Sequence, residues 1–177
     1  MPHAARPTAP RPDRAVAQSA ALQLRDAQLS DCPAVSALCL RSKAHWGYSE
    51  EFLRQSREDL RLTPERLTAW RVRVASSRAE PNQLVGVSAF SVDATQARPS
   101  AELELLFVEP RAIGLGVGGA LLDEVLRALQ LRGVESLWIL SDPFAEAFYL
   151  RRGATRAALR ESSVVPGRVL PWLHLPV

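Results

Sequence analysis

The sequence is poor in the residues that mark several kinds of protein. Its 177 residues include 2 cysteines, 3 histidines and 1 methionine, and only 6% are aromatic. Cys32 and Cys39 form neither a disulfide framework nor a metal-ligand spacing. On an expected helix they lie about two turns apart, too far to bond, so both are read as reduced structural thiols and no metal is expected. No apolar run approaches the roughly 18 residues of a membrane span, and the N-terminus lacks the apolar core of a secretory signal. A cytoplasmic protein with no membrane partner is therefore expected. Basic residues are not interleaved with aromatics, so the net charge of +3 argues for attraction of anions and not for nucleic acid.

What is present fits one α/β domain over residues 20–177, behind a leader at 1–19 rich in Pro, Ala and Arg and expected to be disordered. Leu22 and Leu24 alternate as a short strand. Ser30 or Asp31 then caps a helix with Pro33 in its first turn and Val35, Leu38 and Cys39 facing inward. The stretch Lys43 to Leu53, KAHWGYSEEFL, reads either as a corner pinned by Trp46 and Tyr48 or as a substrate wall of Lys43, His45, Trp46 and Tyr48. Ser49 caps a second helix with Phe52, Leu53 and Leu60 as its apolar stripe. Trp70, Val72 and Val74 form a strand, residues 76–82 a turn, and Leu84 to Val92 the antiparallel partner, where Gly86 marks a bend or a close backbone approach.

The stretch from Ala101 to Leu122 organises the rest. Alternation places Leu103, Leu105 and Phe107 on one face of a strand and Glu102, Glu104 and Leu106 on the other. Pro110 ends that strand. Gly114, Gly116, Gly118 and Gly119 then clear side chains from the start of a helix, where backbone N–H groups and the helix dipole favour a phosphate or pyrophosphate. Gly114, Gly116 and Gly119 also match the dinucleotide-binding spacing, with Asp142 further on. Glu102 and Glu104 interrupt the apolar run such a strand would carry, and too little chain follows for a doubly wound sheet, so that reading is set aside. Beyond the helix ended by Gly133, Leu137 to Leu140 is a strand parallel to the central one. Ser141 and Asp142 cap a last helix with Phe144, Ala147, Phe148 and Leu150 as its apolar side. Two strands then flank the turn Pro166–Gly167.

In their order these blocks resemble the Gcn5-related N-acetyltransferases, whose members bind acetyl-coenzyme A. The family's pattern of Val-x-Pro, three residues, then Gly-x-Gly-Ile/Val-Gly is met by Val108, Pro110, Gly114, Gly116, Val117 and Gly118. Its second pattern, Asn-x-x-Ala-x-x-Leu/Phe-Tyr with a later Gly, is met by Ala145, Phe148, Tyr149 and Gly153. The resemblance spans about residues 22 to 175. Two positions depart from it. Ile113 stands where many members have Arg or Gln, with Arg111 as a substitute, and Asp142 stands where Asn is usual.

The resemblance implies an α/β fold with a mixed sheet of six to seven strands, antiparallel at its start, and about four flanking helices. The central strand would part in a V from the strand at Leu137. It also implies acetyl-CoA as co-substrate and direct transfer to a primary amine of a small molecule, with a catalytically inactive acyl-CoA sensor or interaction domain as the alternative. Backbone groups of Leu106, Phe107 and Val108 would line the pantetheine arm. The turn Ile113, Gly114, Leu115, Gly116, Val117, Gly118 and Gly119, with Arg111 and Asp142, would hold the phosphate end. Tyr149, beside the sulfur, would be the general acid. Glu104, nearer the parting, or Glu102 would take the amine's proton, with His45 as a further choice. For the acceptor, Lys43 and Arg168 suit a carboxylate, while Trp46 and Tyr48 suit an apolar or cationic group. A homodimer is left open.

Overall fold

The computed structural model describes residues 22–95, 98–162 and 164–177; the leader expected at 1–19 lies outside them. In chain order the elements are β1 (Leu22–Asp26), α1 (Cys32–Ala44), α2 (Glu50–Ser56), α3 (Pro64–Ala69), β2 (Arg71–Ser77), β3 (Glu80–Asp93) and β4 (Ser100–Val108). There follow α4 (Val117–Gln130), β5 (Ser136–Leu140), α5 (Pro143–Arg151), β6 (Thr155–Glu161) and β7 (Val169–Pro176), with 3-10 turns at Leu29–Asp31 and Pro110–Ala112.

The seven strands form one sheet in the order β1-β2-β3-β4-β5-β7-β6. Every neighbouring pair is antiparallel except β4 and β5, as expected of a crossover through α4. That parallel pairing is brief, running from Ser100↔Ser136 to Leu103↔Ile139. On its other side β4 stays paired with β3 as far as Gly86↔Val108. From Glu104 onward the edge of β4 that faces β5 carries no strand, and the sheet opens there into the expected V.

One correction concerns that same residue. Ala89 pairs with Leu105 while Phe90 pairs with Leu103, so Glu104 is the extra residue of a β-bulge. The expected alternation therefore breaks. Leu103 packs with Leu122 and Val125 of α4, whereas Leu105 and Phe107 pack with Val35 and Leu38 of α1 on the opposite face. Leu106 and Val108 turn toward Val117 and Leu121 of α4. Glu102 and Glu104 still project from one face, because Ser91, the β3 partner of Glu102, donates its hydroxyl to Glu104 at 2.7 Å.

Local chemistry fixes the helices. Val35, Leu38 and Cys39 are fully buried along α1. Asp31 does not cap α1 with its side chain; its carboxylate instead accepts from Arg25, at 2.7 and 2.9 Å, and from the Gln28 N–H. Ser49 caps α2 by accepting from the Phe52 N–H. This helix stops at Ser56, earlier than expected, and Leu60 reaches the core from the irregular chain beyond it. The extra helix α3 brings the helices among the described residues to five against about four expected; Thr63 caps it and Pro64 opens it. The turn expected over 76–82 shrinks to a hairpin tip at Arg78 and Ala79. Gly86 is a site of close approach, since a Cβ there would lie 2.7 Å from Leu121 Cδ1 and 2.9 Å from Val117 Cγ1.

Candidate active site

The parted strands enclose a cleft of about 770 Å³. One wall is β4 from Glu102 to Val108, the other runs from Ile139 to Asp142 and on along α5 through Phe144, Ala145, Phe148 and Tyr149. Ile113, Gly114, Gly116, Gly118 and Gly119 close one end, and Lys43 and Trp46 of α1 and its following turn border the other. On α5 the inward residues are Ala145, Phe148 and Tyr149. Phe144 and Ala147, expected on the apolar side, face the cleft instead, and Leu150 is exposed.

At the glycine end the backbone takes positive φ at Gly114 (81°) and at Gly116 (83°), the N-cap of α4. The N–H groups of Val117, Gly118 and Gly119 begin the helix and have no acceptor within it. A Cβ on Gly118 would make only ordinary contact, 3.5 Å from Val108 Cγ2, so glycine here keeps the space above those donors open. The Val117 side chain is buried beneath the turn, and Leu115 is 41% exposed outside the cleft. Arg111, expected to replace the missing cation at Ile113, points away and meets Glu80 at 3.5 Å. Sequence reasoning missed Arg151. It lines the cleft and has no ion-pair or hydrogen-bond partner among the described residues, whereas the adjacent Arg152 is held by Asp123. The dipeptide Arg151–Arg152 carries no signal that separates the two.

Tyr149 is 5% exposed and lines the cleft, and its hydroxyl has no hydrogen-bond partner among the described residues. Burial raises its pKa, and the charge of Asp142 adds to the shift, so the hydroxyl keeps its proton. Burial also raises the pKa of Glu102; the charge of Glu104 adds to that effect and Arg160 opposes it. His45 lies exposed with its ring edge-on to Trp46 at 5.3 Å, and it does not line the cleft.

The other predicted residues converge on Asp142. Its carboxylate accepts from Lys43 Nζ at 2.6 Å, from the Tyr48 hydroxyl at 2.9 Å and from the Phe144 N–H at 3.0 Å, the last bond capping α5. Arg168 lies 3.6 Å away and donates to the Tyr48 oxygen at 2.6 Å, with its guanidinium over the rings of Tyr48 and Phe52. Burial alone would raise the pKa of Asp142, but the Lys43 ammonium, the Phe144 N–H and the Tyr48 hydroxyl together hold it below the ordinary value. The Tyr48 hydroxyl is pushed up to about 12, by burial first and then by its bond to Asp142. Trp46 stacks on Phe144 at 5.5 Å with the planes 7° apart. These contacts join the end of α1 and the β6–β7 turn to the start of α5, spanning the V. Tyr48 and Arg168 stand behind the rim and do not line the cleft.

Among the described residues, no group of three or more His, Cys, Asp or Glu is placed to hold a metal ion, and no helix is long and apolar enough to cross a membrane. The model of the acetyltransferase (GNAT) family matches residues 37–154. Similar solved structures include a GCN5-related N-acetyltransferase from Rhodopseudomonas palustris, with a TM-score of 0.71 at 20% identity over 88% of this chain and 95% of that one. The PaiA N-acetyltransferase from Thermoplasma acidophilum, in complex with coenzyme A, gives a TM-score of 0.70 at 16% identity over 88% and 99%. The ribosomal-protein-S18-alanine N-acetyltransferase from Escherichia coli gives 0.62 at 22% identity over 88% and 93%. No curated protein matches the sequence.

Proposed function

The chain belongs to the acetyltransferase (GNAT) family, and from that premise we propose that it is an acetyl-CoA-dependent N-acetyltransferase acting on a primary amine of a small molecule by direct transfer while both substrates are bound. The observation that carries this reading is the meeting, in one cleft, of a glycine turn at a helix N-terminus, a tyrosine hydroxyl without a partner among the described residues and a pair of carboxylates.

Each group has a task set by the chemistry. The first-turn N–H groups of α4 hold the pyrophosphate, and the free edge of β4 beyond Leu103 lies along the pantetheine arm. An ammonium must lose a proton before it can attack a thioester. Glu102 takes that proton, through water, because burial and the neighbouring carboxylate raise its pKa and with it its basicity. Glu104, anchored by Ser91, contributes the neighbouring charge that raises it. As the amine nitrogen bonds to the acetyl carbon and the C–S bond breaks, Tyr149 donates a hydrogen bond to the sulfur, which leaves as the thiolate and takes its proton from water.

The reading is tested by following thiol release from acetyl-CoA over a panel of amines. Release with at least one amine is expected, and acetyl-CoA binding without release on any of them would favour a sensor. Arg151 supplies the cation that Ile113 does not. Charge-assisted hydrogen bonds contribute about 1.5–3 kcal/mol, so Arg151→Gln is expected to weaken acetyl-CoA binding about 10- to 100-fold by calorimetry. An effect that persists with acetyl-dephospho-CoA places Arg151 on the pyrophosphate, and one that vanishes places it on the 3′-phosphate. Unchanged affinity for both removes Arg151 from the site.

A further inference from the structure

The cations near the acceptor end of the cleft are already committed. Lys43 is bonded to Asp142 at 2.6 Å, and Arg168 is bonded to Tyr48 at 2.6 Å and lies 3.6 Å from Asp142. Arg66, which also lines the cleft, donates to the backbone carbonyls of Glu58, Asp59 and Arg61 at 3.1, 2.8 and 2.6 Å. The unpartnered cation, Arg151, belongs to the helix that packs against the glycine turn. Anionic groups on the same walls, Glu102, Glu104 and Asp142, outnumber the cations left for a ligand. The aromatic faces of Trp46 and Phe144, 39% and 53% exposed, border the same opening.

Resting on the transferase reading, we propose that Asp142 sets the acceptor class: the site takes amines that carry no carboxylate beside the reacting nitrogen, and rejects amino acids. A substrate carboxylate entering here would meet like charge, and the cations beside it, Lys43, Arg168 and Arg66, are each already bonded. Pulling Lys43 onto that carboxylate would leave Asp142 half-buried with one fewer counter-charge, which opposes the exchange. An alkyl or aryl amine meets only the aromatic faces and the carboxylate pair that its ammonium satisfies. Discrimination thus comes from a repulsive element as much as from an attractive one.

Pairs of amines that differ only by a carboxylate test this: tyramine with tyrosine, phenethylamine with phenylalanine. Both are assayed by thiol release from acetyl-CoA, with the parent protein and with Asp142→Asn. Asn caps a helix about as well as Asp, so the variant keeps α5 while freeing the charge of Lys43. The parent is expected to favour the carboxylate-free member at least about 100-fold in kcat/KM. In the variant that ratio is expected to shrink at least about tenfold, mainly through a lower KM for the amino acid. Tyrosine or phenylalanine turned over as fast as its partner by the parent overturns the proposal, as does an unchanged ratio in a folded variant. Should the variant fail to fold, the parent's ratio still decides. Release from no amine of either pair, with acetyl-CoA bound, overturns the transferase reading and this one with it.

Discussion

Glutamate in place of Gly116 is expected to weaken acetyl-CoA binding by about a thousandfold or more, beyond the range of ordinary calorimetry. Two effects act together. Gly116 has φ of 83°, a left-handed conformation that costs a side chain-bearing residue about 1–2 kcal/mol. The larger effect is electrostatic, because the variant carboxylate would sit at the N-terminus of α4 among the donors meant for phosphate, satisfying them from within and repelling the ligand. Gly116→Ala separates the two effects. It carries the strain without the charge, so it is expected to lower the melting temperature by a few degrees while retaining most of the affinity. Equal binding by the glutamate variant and the parent would remove the phosphates from this turn.

The second large effect is expected at Tyr149. Tyr149→Phe keeps the ring packed in the cluster with Leu122, Val125 and Leu173 and against Phe148, at a centroid distance of 5.1 Å, and removes only the hydroxyl. Because that hydroxyl has no partner to lose, stability should change little. Burial and the charge of Asp142 raise the hydroxyl's pKa, which makes complete loss of its proton to a thiolate unfavourable. Its contribution is therefore a hydrogen bond that strengthens as charge builds on sulfur. Removing one such donor costs about 10²–10³ in kcat. Single-turnover rates of acetyl transfer are expected to fall by that factor while acetyl-CoA affinity stays within about tenfold, since an ordinary hydrogen bond contributes about 1 kcal/mol net. A Phe variant as fast as the parent would reduce Tyr149 to a packing residue.

Much of the scaffold was legible in the sequence because it is written in local chemistry. Glycine spacing, Pro110, the cap at Asp142 and the apolar period of α4 each fix a conformation within a few residues, and together they located the cleft. What stayed hidden depends on pairings between distant segments. Alternation cannot show a bulge, since the extra residue exists only relative to a partner, and so it assigns Leu103 and Leu105 to one face where the sheet separates them. Arg111, Arg151 and Arg152 are chemically equivalent in sequence. Only the fold reveals that Glu80 and Asp123 claim two of them and leave the third for the cleft. Lys43 and Arg168, read as carboxylate binders, are bound by an aspartate 99 residues beyond Lys43.

The bulge at Glu104 also makes the central strand a message in two phases. Up to Leu103, odd-numbered positions belong to the α4 side; from Leu105 onward, odd-numbered positions belong to the α1 side and even-numbered ones to α4. Loss of Glu104 alone would therefore repair the alternation, and Leu105, Leu106, Phe107 and Val108 would keep the faces they have. A single-residue insertion there would instead act as a frame error in the hydrophobic code, turning those four residues onto the wrong faces or forcing the slip into the glycine turn that follows.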